Sequence, residues 1–216
     1  MTERGMIFNG EMVRAILDGR KTQTRRIMKV QPEPSKSRPG DFWFSSKKLE
    51  SMVHISDFAP GNSPIADYHL FIQEHCCPFG AVGDRIWVRE TWARYNIDQN
   101  SHDLAYRATT PADWPEEGRW RPSIHMPRWA SRILLEITNV RIERLREISQ
   151  ADAEAEGVGK LKKGFWKNYQ PGWTEFQLTA RGSFATLWKS IYGDESWYAD
   201  PWVWVLEFKR VEGGAA

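Results

Sequence analysis

Apolar residues along this chain follow two periods, and each period marks a different kind of element. Met12, Val13, Ile16 and Leu17 recur at the spacing of one helix face. Asn9 is a natural cap for that helix, Glu11 suits its first turn, and Gly19 is a natural stop. The Gly83-Asp84 turn leads into Arg85-Ile86-Trp87-Val88-Arg89, whose branched and aromatic residues predict a strand. A short strand is expected from Leu104 to Arg107. Ile133, Leu135 and Ile137 alternate, and the alternation resumes out of phase at Val140 and Ile142. That shift predicts a bulge near Asn139. Ser149, with Asp152 three residues on, resembles a capping box and opens a short helix ending at Gly157. Phe184, Leu187, Trp188 and Ile191 predict a helix over Ser183 to Ile191. Trp202 to Phe208 is apolar on both faces, as a buried central strand requires.

Between these elements the pattern fades. Lys29 to Gly40 is rich in proline, serine and lysine and reads as a loop. Residues 41–80 and 98–122 show no clean period and read as irregular. Lys160 to Arg181 is basic, aromatic and glycine-containing, hence loop-like. Long strands separated by short helices imply an α+β protein. The expected architecture is one domain over residues 1–216, a small twisted β-barrel with helices packed on it and insertions at about 29–80 and 95–122.

Composition narrows the class without naming a function. The 216 residues are 41% hydrophobic and 27% charged, as in an ordinary soluble domain able to bury a core. A net charge of +2 implies no polyanionic partner, so any basic patch is local. The twelve tryptophans suit either core packing or base stacking. The two cysteines, Cys76 and Cys77, are adjacent, which disfavours a relaxed disulfide and fits a reducing compartment. His69, His75, Cys76 and Cys77 match no usual zinc-ligand spacing. Neither a signal peptide nor a membrane span is expected, and the expected location is cytoplasmic.

The densest chemistry lies just after the first helix. Arg20, Lys21, Arg25 and Arg26 place four cations within seven positions, around Thr22 and Thr24. Like charges disfavour the ammonium form of Lys21 and lower its pKa, which would make it a base able to activate a hydroxyl. The same run also reads as a solvated or phosphate-binding basic turn. Glu156 sits in the last turn of its helix, where its charge opposes the helix dipole. It becomes chemically useful only if the fold brings it to Lys21. Arg89, Glu90 and Trp92 at a strand end, and His125 and Arg128 in a proline-bounded turn, suit a ligand rim or ordinary surface packing.

Gly19, Lys21, Thr24 and Arg26 match in register the signature G-x-K-x-x-[E/T]-x-R of the ASCH domains, a branch of the PUA-like superfamily. The chain resembles that family over residues 6–28, 82–92 and 132–158 and at its closing strand. The whole chain is most similar to longer ASCH-like proteins encoded in bacteriophages and prophages, through its Trp-rich close and the Ser123 to Arg132 stretch. The resemblance implies a PUA-like β-barrel. It also implies an amidohydrolase that removes an acyl group from N(4)-acetylcytidine, with Lys21, Thr24 and Glu156 catalytic and neither metal nor cofactor required. Glu154 is the alternative acid. Arg26, Arg89, Glu90, Trp92, His125 and Arg128 then become expected contacts to a modified nucleoside or RNA. Other members of the family are RNA-binding proteins or ribonucleases, so a non-catalytic module that reads RNA or a modified base stands as the alternative, with Trp92 or Trp129 stacking on a base. A ribonuclease using His125 or Lys21 is a third reading. The segment Lys160 to Tyr169, with four lysines and three aromatics in ten positions, is expected to be a flexible flap near the cleft.

Overall fold

Val203, Val205 and Leu206 have no exposed surface, and they point to both faces of one strand. Such a strand is stable only where both faces are covered. The computed structural model, which describes residues 1–94, 103–172 and 175–211, places it second from the end of a five-stranded sheet. In chain order the elements are β1 (Glu3–Ile7), α1 (Gly10–Leu17), β2 (Gln23–Ile27), β3 (Glu33–Pro34), β4 (Phe42–Ser46), β5 (Ser51–His54), α2 (Tyr68–Cys76), β6 (Arg85–Arg89) and β7 (Trp92–Arg94). There follow β8 (Leu104–Tyr106), β9 (Leu134–Arg144), α3 (Gln150–Ala155), β10 (Trp166–Lys167), β11 (Phe176–Gln177), α4 (Ala180–Tyr192), α5 (Asp194–Tyr198) and β12 (Trp202–Arg210). The chain is therefore α+β.

The main sheet runs β1-β6-β9-β12-β2, with β1 and β6 parallel and the other neighbours antiparallel. The register of β9 against β12 slips at Glu207–Phe208, where Asn139 and Ile137 are successive partners and Thr138 is extra. This is the bulge that the phase shift predicts, and it adds local twist. The caps also form as expected. Asn9 accepts from the Met12 amide at 2.8 Å, and Ser149 accepts from the Asp152 amide at 3.0 Å.

Among the described residues the sheet is open, ending at β1 and β2 rather than closing into a barrel ladder. Just before β2 the backbone of Lys21 and Thr22 pairs with the end of α3, with Thr22 N–H donating to the Ala155 carbonyl at 2.8 Å, so α3 and not β1 meets the chain as it enters β2. The two edge strands still approach closely, since the Arg26 Nη2 donates to the Ile7 carbonyl at 2.8 Å.

The segment expected to be an irregular insertion, 29–80, is ordered instead. It forms the three-stranded sheet β3-β4-β5 and helix α2. Phe44, Val53, Phe58, Ile72, Cys76 and Cys77 enter the same apolar cluster as β9 and β12. Its strands escaped the sequence pattern because β4 is short and reads Phe-Trp-Phe-Ser-Ser, with an aromatic on its more open face and Ser46 on its buried one, so it has no clean alternation. Of the second expected insertion, residues 95–102 lie outside the described residues; the remainder includes β8, which pairs with β7. The loop from Lys160 is also ordered rather than a free flap. Trp166 is buried, Lys167 pairs with Glu11 at 2.7 Å, and β10 pairs with β11.

Phe44 meets Trp204 edge to face at 6.1 Å between ring centres, which ties β4 to the central strand. Phe44→Ala is therefore expected to destabilise the whole chain by about 3–5 kcal/mol. Denaturant unfolding followed by tryptophan fluorescence and by far-UV dichroism should shift together. Two separate transitions would show that the 29–80 segment unfolds on its own.

Candidate active site

Lys21 leaves the C-terminal turn of α1, which is held open by Gly19 in a left-handed conformation (φ 73°). Glu156 is the C-terminal cap of α3. The two side chains meet although 135 residues separate them: Lys21 Nζ donates to Glu156 Oε2 at 2.7 Å and to the Glu156 carbonyl at 2.9 Å. Both residues are buried, at 4% and 3% exposure. Glu154 points elsewhere, exposed beside Gln150, so the acid that meets the lysine is Glu156.

Burial drives the Lys21 pKa down, the Glu156 carboxylate opposes that shift, and the charges of Arg26 and Arg25 add to it. The lowered value was expected from like charges alone; the structure makes desolvation the larger cause. Arg20 takes no part, since its guanidinium turns outward to the Gly157 carbonyl and Asp18. Glu156 takes two of the positions around Nζ, which leaves one for a further partner.

The cross-strand register sorts the neighbours. Thr24 faces Leu206 and Val140, whereas Arg25 faces Val205 and Arg141. Arg25, which the sequence offered only as one of the crowding cations, is the side chain that completes the site. Its Nη1 donates to Glu156 Oε1 at 3.1 Å and its Nη2 to Glu143 at 2.9 Å, with no side-chain exposure. Arg141 extends the network to Asp152 at 2.9 Å and also contacts Glu143 and Glu207. Strand alternation would have revealed Arg25 as an inward-facing cation, had residues 23–27 been recognised as a strand.

Lys21, Thr24, Arg25, Arg26 and Glu156 line a pocket of about 240 Å³, closed by Phe8 and Met12 on one side and by Phe184, Leu187 and Trp188 of α4 on the other. The Thr24 hydroxyl makes no hydrogen bond to the described residues. Among the described residues the Arg26 Nε and the Arg25 Nε are buried donors without an acceptor. Unpaired donors of this kind are uncommon in folded proteins and invite one from a ligand.

The remaining expected contacts do not join this pocket. Glu90 is buried in a bidentate pair with Arg132 at 2.9 and 3.1 Å and lines a neighbouring pocket; burial pushes its pKa up, against that pairing. The Arg89 Nε donates to the Ser123 carbonyl at 3.2 Å and the guanidinium lies over Trp87. Trp92, at 2% exposure, packs on Trp129 and Met126 and is too buried to stack on a base. His125 is exposed on its turn. Arg128 pairs with Glu3 at 2.8 Å. Arg89, His125 and Arg128 are at least partly exposed outside the pocket, and Trp92 is buried in a small separate cluster with Met126 and Ala130. Among the described residues, no group of three or more His, Cys, Asp or Glu is placed to hold a metal ion. Cys76 and Cys77 are free and buried, and no described helix is long and apolar enough to cross a membrane.

Gly157 sets the approach of the two catalytic candidates. It has a φ of 86°, and a Cβ there would lie 2.7 Å from Lys21 Cβ and 2.8 Å from Ala15 Cβ. Gly157→Ala is expected to cost at least about 1–2 kcal/mol from the left-handed backbone alone, measured by urea unfolding. A variant as stable as the parent would mean that α3 ends differently.

No family model matches the chain, and neither a curated protein nor a solved structure does.

Proposed function

We propose that this chain is an ASCH-like, PUA-related amidohydrolase that removes the acyl group from N(4)-acylated cytidine. The observation that carries the reading is the buried contact of Lys21 Nζ with Glu156 beside the free Thr24 hydroxyl, in one small pocket. The order of landmarks supports the family reading. The lysine turn before β2, the glycine turn before β6, the glutamate at the end of α3 and the closing strand β12 all lie on or beside one five-stranded sheet.

The chemistry follows from the groups present. The oxygen nucleophile is the Thr24 hydroxyl or a water beside it. It gives its proton to the neutral Nζ as it attacks the acyl carbonyl. The Arg26 guanidinium meets the negative charge that forms on the carbonyl oxygen. Lys21 then returns the proton to the cytosine amino nitrogen, the C–N bond breaks, and cytidine leaves. If Thr24 attacks, water next releases acetate from its oxygen. Glu156 and Arg25 hold Lys21 in place and set its basicity.

Mass analysis of wild-type protein with N(4)-acetylcytidine is expected to show cytidine and acetate. Lys21→Ala and Glu156→Gln should each lower turnover at least a hundredfold while the fold persists. Because the free amine is the active form, kcat/KM should rise with pH and level off below the ordinary lysine value of about 10.4. Absence of cytidine release by wild type would remove the reading.

One observation favours the binding-module alternative. Trp129 is 57% exposed with the Arg94 guanidinium 5.7 Å from its ring, an arrangement suited to stacking on an unpaired base. Lys21→Arg separates the two readings, since arginine keeps the charge but cannot become a neutral base. RNA binding retained by this variant, with no turnover in wild type, would favour the module.

A further inference from the structure

The candidate pocket is too small for a whole nucleotide. At about 240 Å³ it falls below the usual range of roughly 300–1,000 Å³ for ligand sites, and it suits one acylated base. A second pocket of about 550 Å³ shares its wall, since Ile7, Phe8 and Asn9 line both. Ile7 and Asn9 are exposed along the crest between them. A ligand seated in the first pocket reaches the second by crossing this segment.

The second pocket has the chemistry of an anion site. Arg14 and Arg107 line it, and neither has a carboxylate partner among the described residues. Arg14 Nη1 donates to the Ala108 carbonyl at 3.0 Å, which ties its guanidinium to the backbone next to Arg107 without neutralising its charge. The two acids in the lining are already neutralised: Glu11 by Lys167 at 2.7 Å, Glu90 by Arg132 at 2.9 Å. A planar guanidinium with free N–H groups matches a phosphate oxygen pair. Nothing in the hydrolytic chemistry requires these two cations, which lie outside the reacting pocket.

We propose that this neighbouring pocket is a phosphate subsite, so that the substrate carries a phosphate on its ribose while the acylated base occupies the Lys21 pocket. The inference rests on the hydrolase reading for its catalytic consequence, but not for binding. The phosphate can belong to a mononucleotide or to an RNA strand, and the two are separated below by substrate length.

Two measurements test it. In the first, calorimetry compares cytidine with cytidine 5′- and 3′-monophosphate on wild type and Arg107→Ala. At least one monophosphate should bind tenfold or more tightly than cytidine, and Arg107→Ala should erase that difference; equal binding of all three overturns the subsite whether or not the protein hydrolyses anything. In the second, kcat/KM is compared for N(4)-acetylcytidine, its monophosphates and a short RNA containing the same base. Preference for a monophosphate over the RNA assigns a mononucleotide, and preference for the RNA assigns an internal phosphate. Turnover of the nucleoside at the same kcat/KM as every phosphorylated form would leave the hydrolase standing and sink the subsite. Phosphate-dependent binding with no hydrolysis would do the reverse. Arg14→Gln should lower the same ratio; if neither variant changes it, the assignment fails.

Discussion

A lysine and a glutamate taken wholly out of water impose the main constraint on this structure. Burying an ion costs several kcal/mol unless its partners are close and well aligned. Here the Lys21 amine has both its donated bonds on Glu156, and the far oxygen of that carboxylate is held by Arg25. Such geometry requires the end of α1, the start of β2 and the end of α3 to converge within a few ångströms. Gly157 permits this approach because no side chain stands between the two backbones.

The sheet supplies the rigidity that the pair needs. On one face of β2, β12 and β9 the register stacks Thr24, Leu206 and Val140, continuous with the apolar core. On the other it stacks Arg25, Val205 and Arg141, and the two arginines are laced to Glu143, Asp152 and Glu156. Hydrogen bonds and nearby arginines hold the Asp152 carboxyl below its usual value despite its partial burial. A connected network of this kind fixes side-chain positions more than it adds stability. The pocket beside it inherits that order, which is what a proton-transfer site needs.

Local signals in the sequence were strong where a residue acts through its own backbone. Asn9 and Ser149 announce helix starts because their side chains bond amides three residues on. The phase slip around Thr138 announces its bulge because a single extra residue flips the alternation. The 29–80 segment gave no such signal. Its strands are short, and its apolar residues are spaced by where they meet β12 and α2, which no local period records. The flap expected at Lys160 to Tyr169 failed for the same reason, since Trp166 is drawn into a core built by distant residues.

The candidate site divides along the same line. The run from Gly19 to Arg26 pointed by itself to Lys21 and Thr24, because charge crowding and a signature spacing are properties of neighbouring residues. Glu156 stood out by its place at the end of its helix, the resemblance gave it a role, and Glu154 remained the alternative acid. Tertiary structure decided between them, because only the cap position of α3 faces the turn after α1. It also promoted Arg25 over its neighbours and dispersed Arg89, Trp92, His125 and Arg128, whose exposure and partners depend on strand facing rather than on order along the chain. Above all it changed the cause of the lysine's altered basicity. Charge density along a sequence is visible in the letters, but desolvation is not, because it measures how much water the rest of the fold has excluded.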